Sequence, residues 1–164
     1  MTDQQPDADP RDGRDETVTE RMDRNWNELL QELRVAQTGV QILTGFLLTV
    51  PFQQRFTDLD DYQRGVYLVL VVLSVAATGF IVAPVSVHRL LFRRGLKREL
   101  VTSADQLAQT GLALLALVLA GATLLLFDVV VGRTAGIVSG AAVLVGLAVV
   151  WVLVPVRLVR HARR

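Results

Sequence analysis

Uncharged apolar segments recur along the chain at lengths that suit membrane spans. Three of them, residues 66–87, 106–127 and 134–156, contain no Asp, Glu, Lys or Arg. Each is long enough to cross the hydrocarbon core of a bilayer, which takes about 20 residues of helix. A fourth, residues 35–54, is also uncharged, although Gln and Thr side chains interrupt it. The pattern predicts an all-α integral membrane protein with four transmembrane helices, over about 35–54, 66–92, 104–131 and 134–159.

Ahead of the first span, the chain has the pattern of an amphipathic helix. Thr17 and Glu20 have the spacing of a capping box, and the apolar residues that follow keep helical spacing: Met22, Trp26, Leu29, Leu30 and Leu33. We therefore predict a cytoplasmic or interfacial amphipathic helix over 17–34. It either lies in the headgroup plane with Trp26 at the interface or continues straight into the first span. Residues 1–16 are acidic and contain proline, a composition that predicts a disordered tail.

Local signals mark the ends of the other spans. Asp58 or Asp60 is placed to cap the second span, because carboxylates favour the positive end of a helix. Gly95 is a predicted helix stop. Ser103 and its neighbours, Ser-Ala-Asp-Gln, have the form of a capping box at the start of the third span.

Two halves of the membrane domain, residues 35–164, carry matching residues. Ala-Gln-Thr-Gly occurs at residues 36–39 and again at 108–111, and Pro84 and Pro155 follow at corresponding places, so the matches lie 72 and 71 residues apart. Such self-similarity indicates an internal repeat, although short matches in an apolar chain also arise by chance. We predict two tandem transmembrane hairpins as parallel repeats, related by a pseudo-twofold axis along the membrane normal, which would bring Gln37 and Gln109 into contact.

Basic residues near the ends of the spans predict the orientation. The segments 21–34, 88–98 and 157–164 contain twelve Lys or Arg residues, against three on the other side, Arg55, Arg64 and Arg133. Both termini and the middle loop are therefore expected in the cytoplasm. The same basic segments are expected to attract anionic lipid head groups. Topology and lipid binding account for these charges, so we do not expect nucleic acid as a partner.

Polar side chains inside the first and third spans form one candidate site. Gln37, Gln41 and Thr44 share a helix face, and Gln109 is the counterpart of Gln37 in the repeat. This possible polar cluster has two interpretations: the lining of a solute or ion path, or interhelical hydrogen bonds that hold the bundle together. Proton-coupled transporters use ionisable groups within the membrane, and the middle of these spans contains none.

Two further pairs are candidates at the span ends and in the helix contacts. Asp128 and Arg133 lie on either side of the last outer turn and suggest an outer-face ion site or an ion pair. Gly136 and Gly140 have the small-xxx-small spacing that lets helices approach closely. They would serve either a homo-oligomer seam or packing within one bundle.

The chain carries no pattern of an enzyme. It has no Gly-x-Ser-x-Gly, P-loop or His-Glu-x-x-His motif, which are the arrangements typical of hydrolases, nucleotide-binding proteins and zinc proteases. It has no cysteine, and its two histidines lack a second ligand at metal spacing. We expect no catalytic, cofactor or metal site.

Residues 27–41 and 47–53, Asn-Glu-Leu-Leu-Gln-Glu-Leu-Arg-Val-Ala-Gln-Thr-Gly-Val-Gln and Leu-Leu-Thr-Val-Pro-Phe-Gln, carry a family resemblance. The chain resembles a family of small uncharacterised membrane proteins common in actinobacteria, some of which are labelled sodium:proton antiporter. The resemblance implies four spans and a bacterial plasma membrane. The expected function is a non-enzymatic structural, regulatory or partner-binding role. The alternative is an oligomeric ion transporter of the antiporter type.

Overall fold

The computed structural model describes residues 17–91 and 97–162. Within them the elements are α1 (Val18–Thr49), two 3₁₀ turns (Val50–Phe52 and Gln54–Asp58), α2 (Asp61–Leu91), α3 (Lys97–Val130), α4 (Arg133–Ala148), a π-helical turn (Val149–Leu153) and α5 (Val154–Ala162). This part of the chain is helical, and four of its helices are long and apolar enough to span a membrane. The predicted acidic tail 1–16 and the predicted stop at Gly95 lie outside the described residues.

Helix α1 runs without a break through the predicted amphipathic segment and the first span. Thr17 caps it as predicted: its Oγ1 accepts a hydrogen bond from the Glu20 backbone, and the Glu20 carboxylate accepts one from the Thr17 backbone. The Thr17 backbone N–H and hydroxyl both donate to the Glu20 carboxylate, and these two hydrogen bonds hold the pKa of the Glu20 carboxyl below its usual range. Of the two arrangements that the sequence left open, the structure has the straight extension.

A heptad spacing on α1 decides how it packs. Trp26, Leu33, Val40 and Leu47 lie seven residues apart and are all buried, the spacing of left-handed helix pairs. Trp26 packs against Ala104 of α3, and the other three enter the two larger clusters between α1, α2 and α3. Trp26 is therefore a core residue between two helices.

The third helix begins earlier than predicted. Helix α3 starts at Lys97, so residue 103 lies within it and the capping box predicted at Ser103 does not start the helix. Ala104, fully buried against Trp26, lies in this N-terminal part of α3. We call segment 18–34 of α1, which packs on Ala104 of α3 through Trp26, the stalk.

The helices are ordered by their neighbours. Helix α3 packs closely against both α2 and α4, α1 lies mainly on α2, and α4 packs on α3. A twofold axis relating α1 to α3 and α2 to α4 would pair α4 with α1 as closely as α3 with α2. Within the described residues α4 and α1 have no such contact, so the packing is that of a row more than of a closed twofold bundle.

Candidate functional site

The turn between α3 and α4 positions a charged cluster at one end of the bundle. Gly132 has φ +131°, a conformation that side chains with a Cβ rarely adopt. Its N–H and that of Val131 both bond to the Phe127 carbonyl, and its own carbonyl accepts from Gly136. The turn therefore returns the chain tightly, and Arg133 begins α4 beside the last residues of α3.

Arg133 bridges two carboxylates from different helices. Its Nε lies 3.0 Å from Oδ2 of Asp128 on α3. Its Nη2 lies 2.6 Å from Oδ2 of Asp60, the residue before the start of α2. The guanidinium also lies over the Tyr62 ring, 3.7 Å from its centroid, where a cation–π attraction adds to the ion pairs. We call Asp60, Tyr62, Asp128 and Arg133 the outer cluster.

The two carboxylates of the outer cluster differ in burial. The Asp60 side chain is about half exposed at 52%, whereas that of Asp128 is 3% exposed. The Arg133 Nε–H is directed at Asp128 Oδ1, at 3.3 Å, although Oδ2 is nearer, and Oδ2 accepts no hydrogen bond from the described residues. Asp128 is thus a buried carboxylate that depends on one arginine for charge compensation.

Asp60 also caps α2, as the sequence predicted for either Asp58 or Asp60. Its Oδ1 accepts a hydrogen bond from the Gln63 backbone at 2.8 Å, and Gln63 Oε1 accepts one from the Asp60 backbone at 3.1 Å. The carboxylate therefore caps the helix with one oxygen and binds Arg133 with the other. The outer cluster joins α2, α3 and α4 at their ends.

The possible polar cluster of the spans does not form a hydrogen-bonded group. Gln109 is exposed and donates to Asp105 of its own helix at 2.9 Å, and Thr44 donates to the Val40 carbonyl at 2.7 Å. Gln37 is half-buried and Gln41 is exposed. No hydrogen bond joins any two of the four among the described residues, and the contact expected between Gln37 and Gln109 is not made through their side-chain amides.

Two clefts lie between helices, and of the four residues of the possible polar cluster, Gln109 lines one of them. The larger cleft, about 1060 Å³, contains Gln109 and lies between α3 and the α4–α5 segment. A smaller one, about 430 Å³, lies between α2 and α3 near Tyr62. Neither of these two clefts, among the described residues, is lined by Gln37, Gln41 or Thr44.

Gly136 and Gly140 are used within the chain. A Cβ on Gly136 would lie 2.7 Å from the Leu124 carbonyl oxygen, and one on Gly140 would lie 2.8 Å from the Leu124 Cβ. Both glycines are buried against α3. The two glycines therefore serve the contact between α3 and α4, which is the packing within one bundle that the sequence left open beside a homo-oligomer seam.

Sequence reasoning found Asp128 with Arg133 but did not find the link to Asp60 and Tyr62. Asp60 and Arg133 are 73 residues apart, and no local pattern connects them. The only signal in the sequence was that Asp60 and Arg133 both lie at the outer ends of predicted spans. Among the described residues, no group of three acidic or histidine side chains is placed to hold a metal ion.

Comparison with known proteins gives a family. Neither the curated proteins nor the solved structures include a match to the chain. A family model described as "Family of unknown function (DUF6328)" matches residues 15–155, which include the described helices up to the first residues of α5. The chain therefore belongs to this family of unknown function.

Proposed function

We propose that the chain is a small multi-pass protein of a bacterial plasma membrane, with a non-enzymatic structural, regulatory or partner-binding role. The observation that carries this proposal is the stalk. Four helices are long and apolar enough to anchor the chain in a membrane, while the N-terminal half of α1 carries exposed polar side chains such as Asn27, Gln31 and Glu32. A helical segment with exposed polar side chains at the membrane surface suits the binding of a partner better than it suits chemistry.

The orientation places this stalk in the cytoplasm. The excess of twelve basic residues over three at the two sides of the spans supports cytoplasmic termini and a cytoplasmic 88–98 segment. Anionic head groups at the basic segments then add to the anchoring. We further propose that the chain arose by a tandem duplication. Residues match between its two halves even where their surroundings in the fold differ.

Single cysteines test this orientation, because the natural chain has no cysteine. In cells with a permeable outer envelope, a membrane-impermeant maleimide is expected to label Asp58→Cys from outside. Gln31→Cys in the stalk is expected to react only after the plasma membrane is opened. Val72→Cys, exposed on an apolar helix face, serves as a control that reacts in neither case. Labelling of Gln31→Cys in closed cells would contradict the proposed orientation.

A second candidate, an ion transporter of the sodium:proton antiporter type, has one observation in its favour. Asp128 is the charged side chain that is buried inside a candidate span, among the residues whose burial the structure describes. Such groups often serve ion pathways. Its pairing with Arg133 supports a structural role instead.

Flux measurements separate the two candidates. We expect folded protein in proteoliposomes to move no protons in response to a sodium gradient. In a Trp151→Phe background, fluorescence from Trp26, buried between α1 and α3, verifies the fold in the same sample. Sodium-driven proton movement that disappears in Asp128→Asn would overturn the proposed role and support the antiporter.

A further inference from the structure

The cleft between α3 and the α4–α5 segment is an apolar groove with a charged mouth. It has a volume of about 1060 Å³, and its walls are almost entirely aliphatic or aromatic, with Gln109 at one end. Ala113 and Leu117 line it from α3, and Leu144, Ala148 and Trp151 line it from the opposite side. No residue of the outer cluster lines this cleft.

The cleft exists because α3 and α4 pack closely over only part of their length. The glycines at 136 and 140 bring the two backbones together. Beyond Leu147, which is half-buried, each residue from 148 to 157 is exposed. The helices therefore separate toward the end that carries α5.

A π-helical turn lies in the wall of this cleft. Val154 N–H bonds to the Val149 carbonyl, five residues back. Pro155 follows directly and has no N–H to give the Trp151 carbonyl its usual partner. Single π turns in helices occur frequently at functional sites, and this one places Trp151 and Val152 on the cleft.

Opposite charges lie on either side of the mouth. Gln109 on α3 and Val156 on α5 line the same end of the cleft. One helical turn further toward that end, Asp105 follows the face of Gln109 and Arg160 follows the face of Val156, because residues four apart share a helix face. Asp105 and Arg160 are both exposed, as is Arg157 next to Val156. Asp105 Oδ2 accepts a hydrogen bond from the side-chain amide of Gln109.

This combination fits an amphiphile whose head group carries both charges. We propose that the cleft binds one aminophospholipid, with acyl chain in the groove, phosphate at Arg157 and Arg160, and primary ammonium at Asp105. A second protein helix in the groove would cover charged side chains at the mouth with apolar surface. A lipid leaves them at the interface, where charged groups remain hydrated.

The proposed orientation puts the mouth of the cleft at the cytoplasmic leaflet, and this part of the proposal rests on the proposed function, whereas the lipid binding itself does not. Retention of lipid in detergent is independent of which side faces the cytoplasm. Failure of the cysteine labelling would thus change the leaflet and leave the site intact. Failure of lipid retention would remove the site and leave the orientation intact.

Native mass spectrometry tests the site on the full chain. The protein is taken from nanodiscs with equal amounts of phosphatidylethanolamine, phosphatidylglycerol and phosphatidylcholine. We expect one phosphatidylethanolamine to be retained preferentially. Arg160→Gln should lower its occupancy about fivefold, the effect of one basic residue at a membrane surface. Asp105→Asn should abolish the preference over phosphatidylcholine. Arg55→Gln, in the loop at the other end of the bundle, should change neither.

Steric filling gives a second, charge-independent measurement. Ala113→Phe narrows the cleft and should remove the retained lipid, while Ala142→Phe, exposed on α4 but outside the cleft, should retain it. Equal retention of the three lipids, or preferential retention of phosphatidylglycerol, would overturn the proposed head-group contacts. Equal loss of lipid from both Phe variants would overturn the site. So would a protein dimer found in place of bound lipid, with the dimer dissociated by Ala113→Phe.

Discussion

Replacing Gly136 with leucine is expected to separate α4 from α3 and to lower the stability of the folded chain substantially. A Cβ at this position would lie 2.7 Å from the Leu124 carbonyl oxygen and 3.0 Å from the Asp128 backbone nitrogen. These are backbone atoms of a continuous helix, so they cannot rotate away as a flexible side chain would. Even the single methyl of alanine therefore forces the helix axes apart.

The magnitude follows from overpacking. Extra carbon atoms in a close-packed contact cost about 1–3 kcal/mol, and we expect Gly136→Ala to fall in this range and Gly136→Leu at or above its upper end. The displaced α4 would also carry Arg133 away from Asp128, which adds to the loss. Unfolding by sodium dodecyl sulfate in mixed micelles, followed through Trp26 in a Trp151→Phe background, measures the change.

Gly146 provides a matched control on the same helix. A Cβ there meets no atom within 4 Å, and alanine has the higher helix propensity, by up to about 1 kcal/mol. We expect Gly146→Ala to be neutral or slightly stabilising. Equal destabilisation by the alanine substitutions at 136 and 146 would contradict the assignment of Gly136 to the α3–α4 contact.

The four long apolar helical segments could be predicted because each signal is local. Uncharged runs of sufficient length mark the apolar spans, and the caps at Thr17 and Asp60 need only residues three apart. The start of α3 could not be predicted in this way. A tertiary contact, Trp26 against Ala104, accompanies a helix that runs through the apparent start signal at Ser103.

The repeat shows a different limit of the sequence. Gly39 and Gly111 occupy matching places, yet a Cβ on Gly39 meets nothing within 4 Å, whereas one on Gly111 would lie 2.6 Å from the Ile81 side chain. Pro84 is fully buried in regular α2, while its counterpart Pro155 is exposed beside a π turn. Identical residues thus have different environments because α3 packs between two helices and α1 at one side. The matching residues that predicted a repeat thus did not predict equal contacts.

The sequence did not predict that the outer cluster extends to α2. The pairing of Asp128 with Arg133 spans five residues across one tight turn, so it was a natural hypothesis. The further contact from Arg133 to Asp60 joins residues 73 positions apart, and only the packing of α2 beside α3 brings them together. The ion pair of Asp128 with Arg133 is therefore part of a larger set of contacts. We call the contacts of Arg133 with Asp60 and Asp128, which join three helices, the clamp.

Removing the arginine of this clamp is expected to have the other large effect. Arg133→Ala leaves the Asp128 carboxylate, 3% exposed, without its compensating charge. Breaking one partner of a buried ion pair costs about 3–5 kcal/mol. Because the Arg133 side chain is itself 41% exposed, solvent screens part of the interaction, and we expect a loss of about 2–3 kcal/mol. The micelle unfolding experiment measures it.

Three companion variants identify the cause of that loss. Asp60→Asn breaks the exposed arm of the clamp and is expected to cost only about 0.2–1 kcal/mol, plus a smaller part for the weakened helix cap. Arg133→Lys should recover little, because an ammonium cannot hold two carboxylates in the planar geometry of a guanidinium. If the buried charge is responsible, Arg133→Ala with Asp128→Asn should be more stable than Arg133→Ala alone, since the double variant no longer buries an unpaired carboxylate. A double variant that is less stable than Arg133→Ala would instead mean that Asp128 stabilises the α3–α4 turn independently of the arginine.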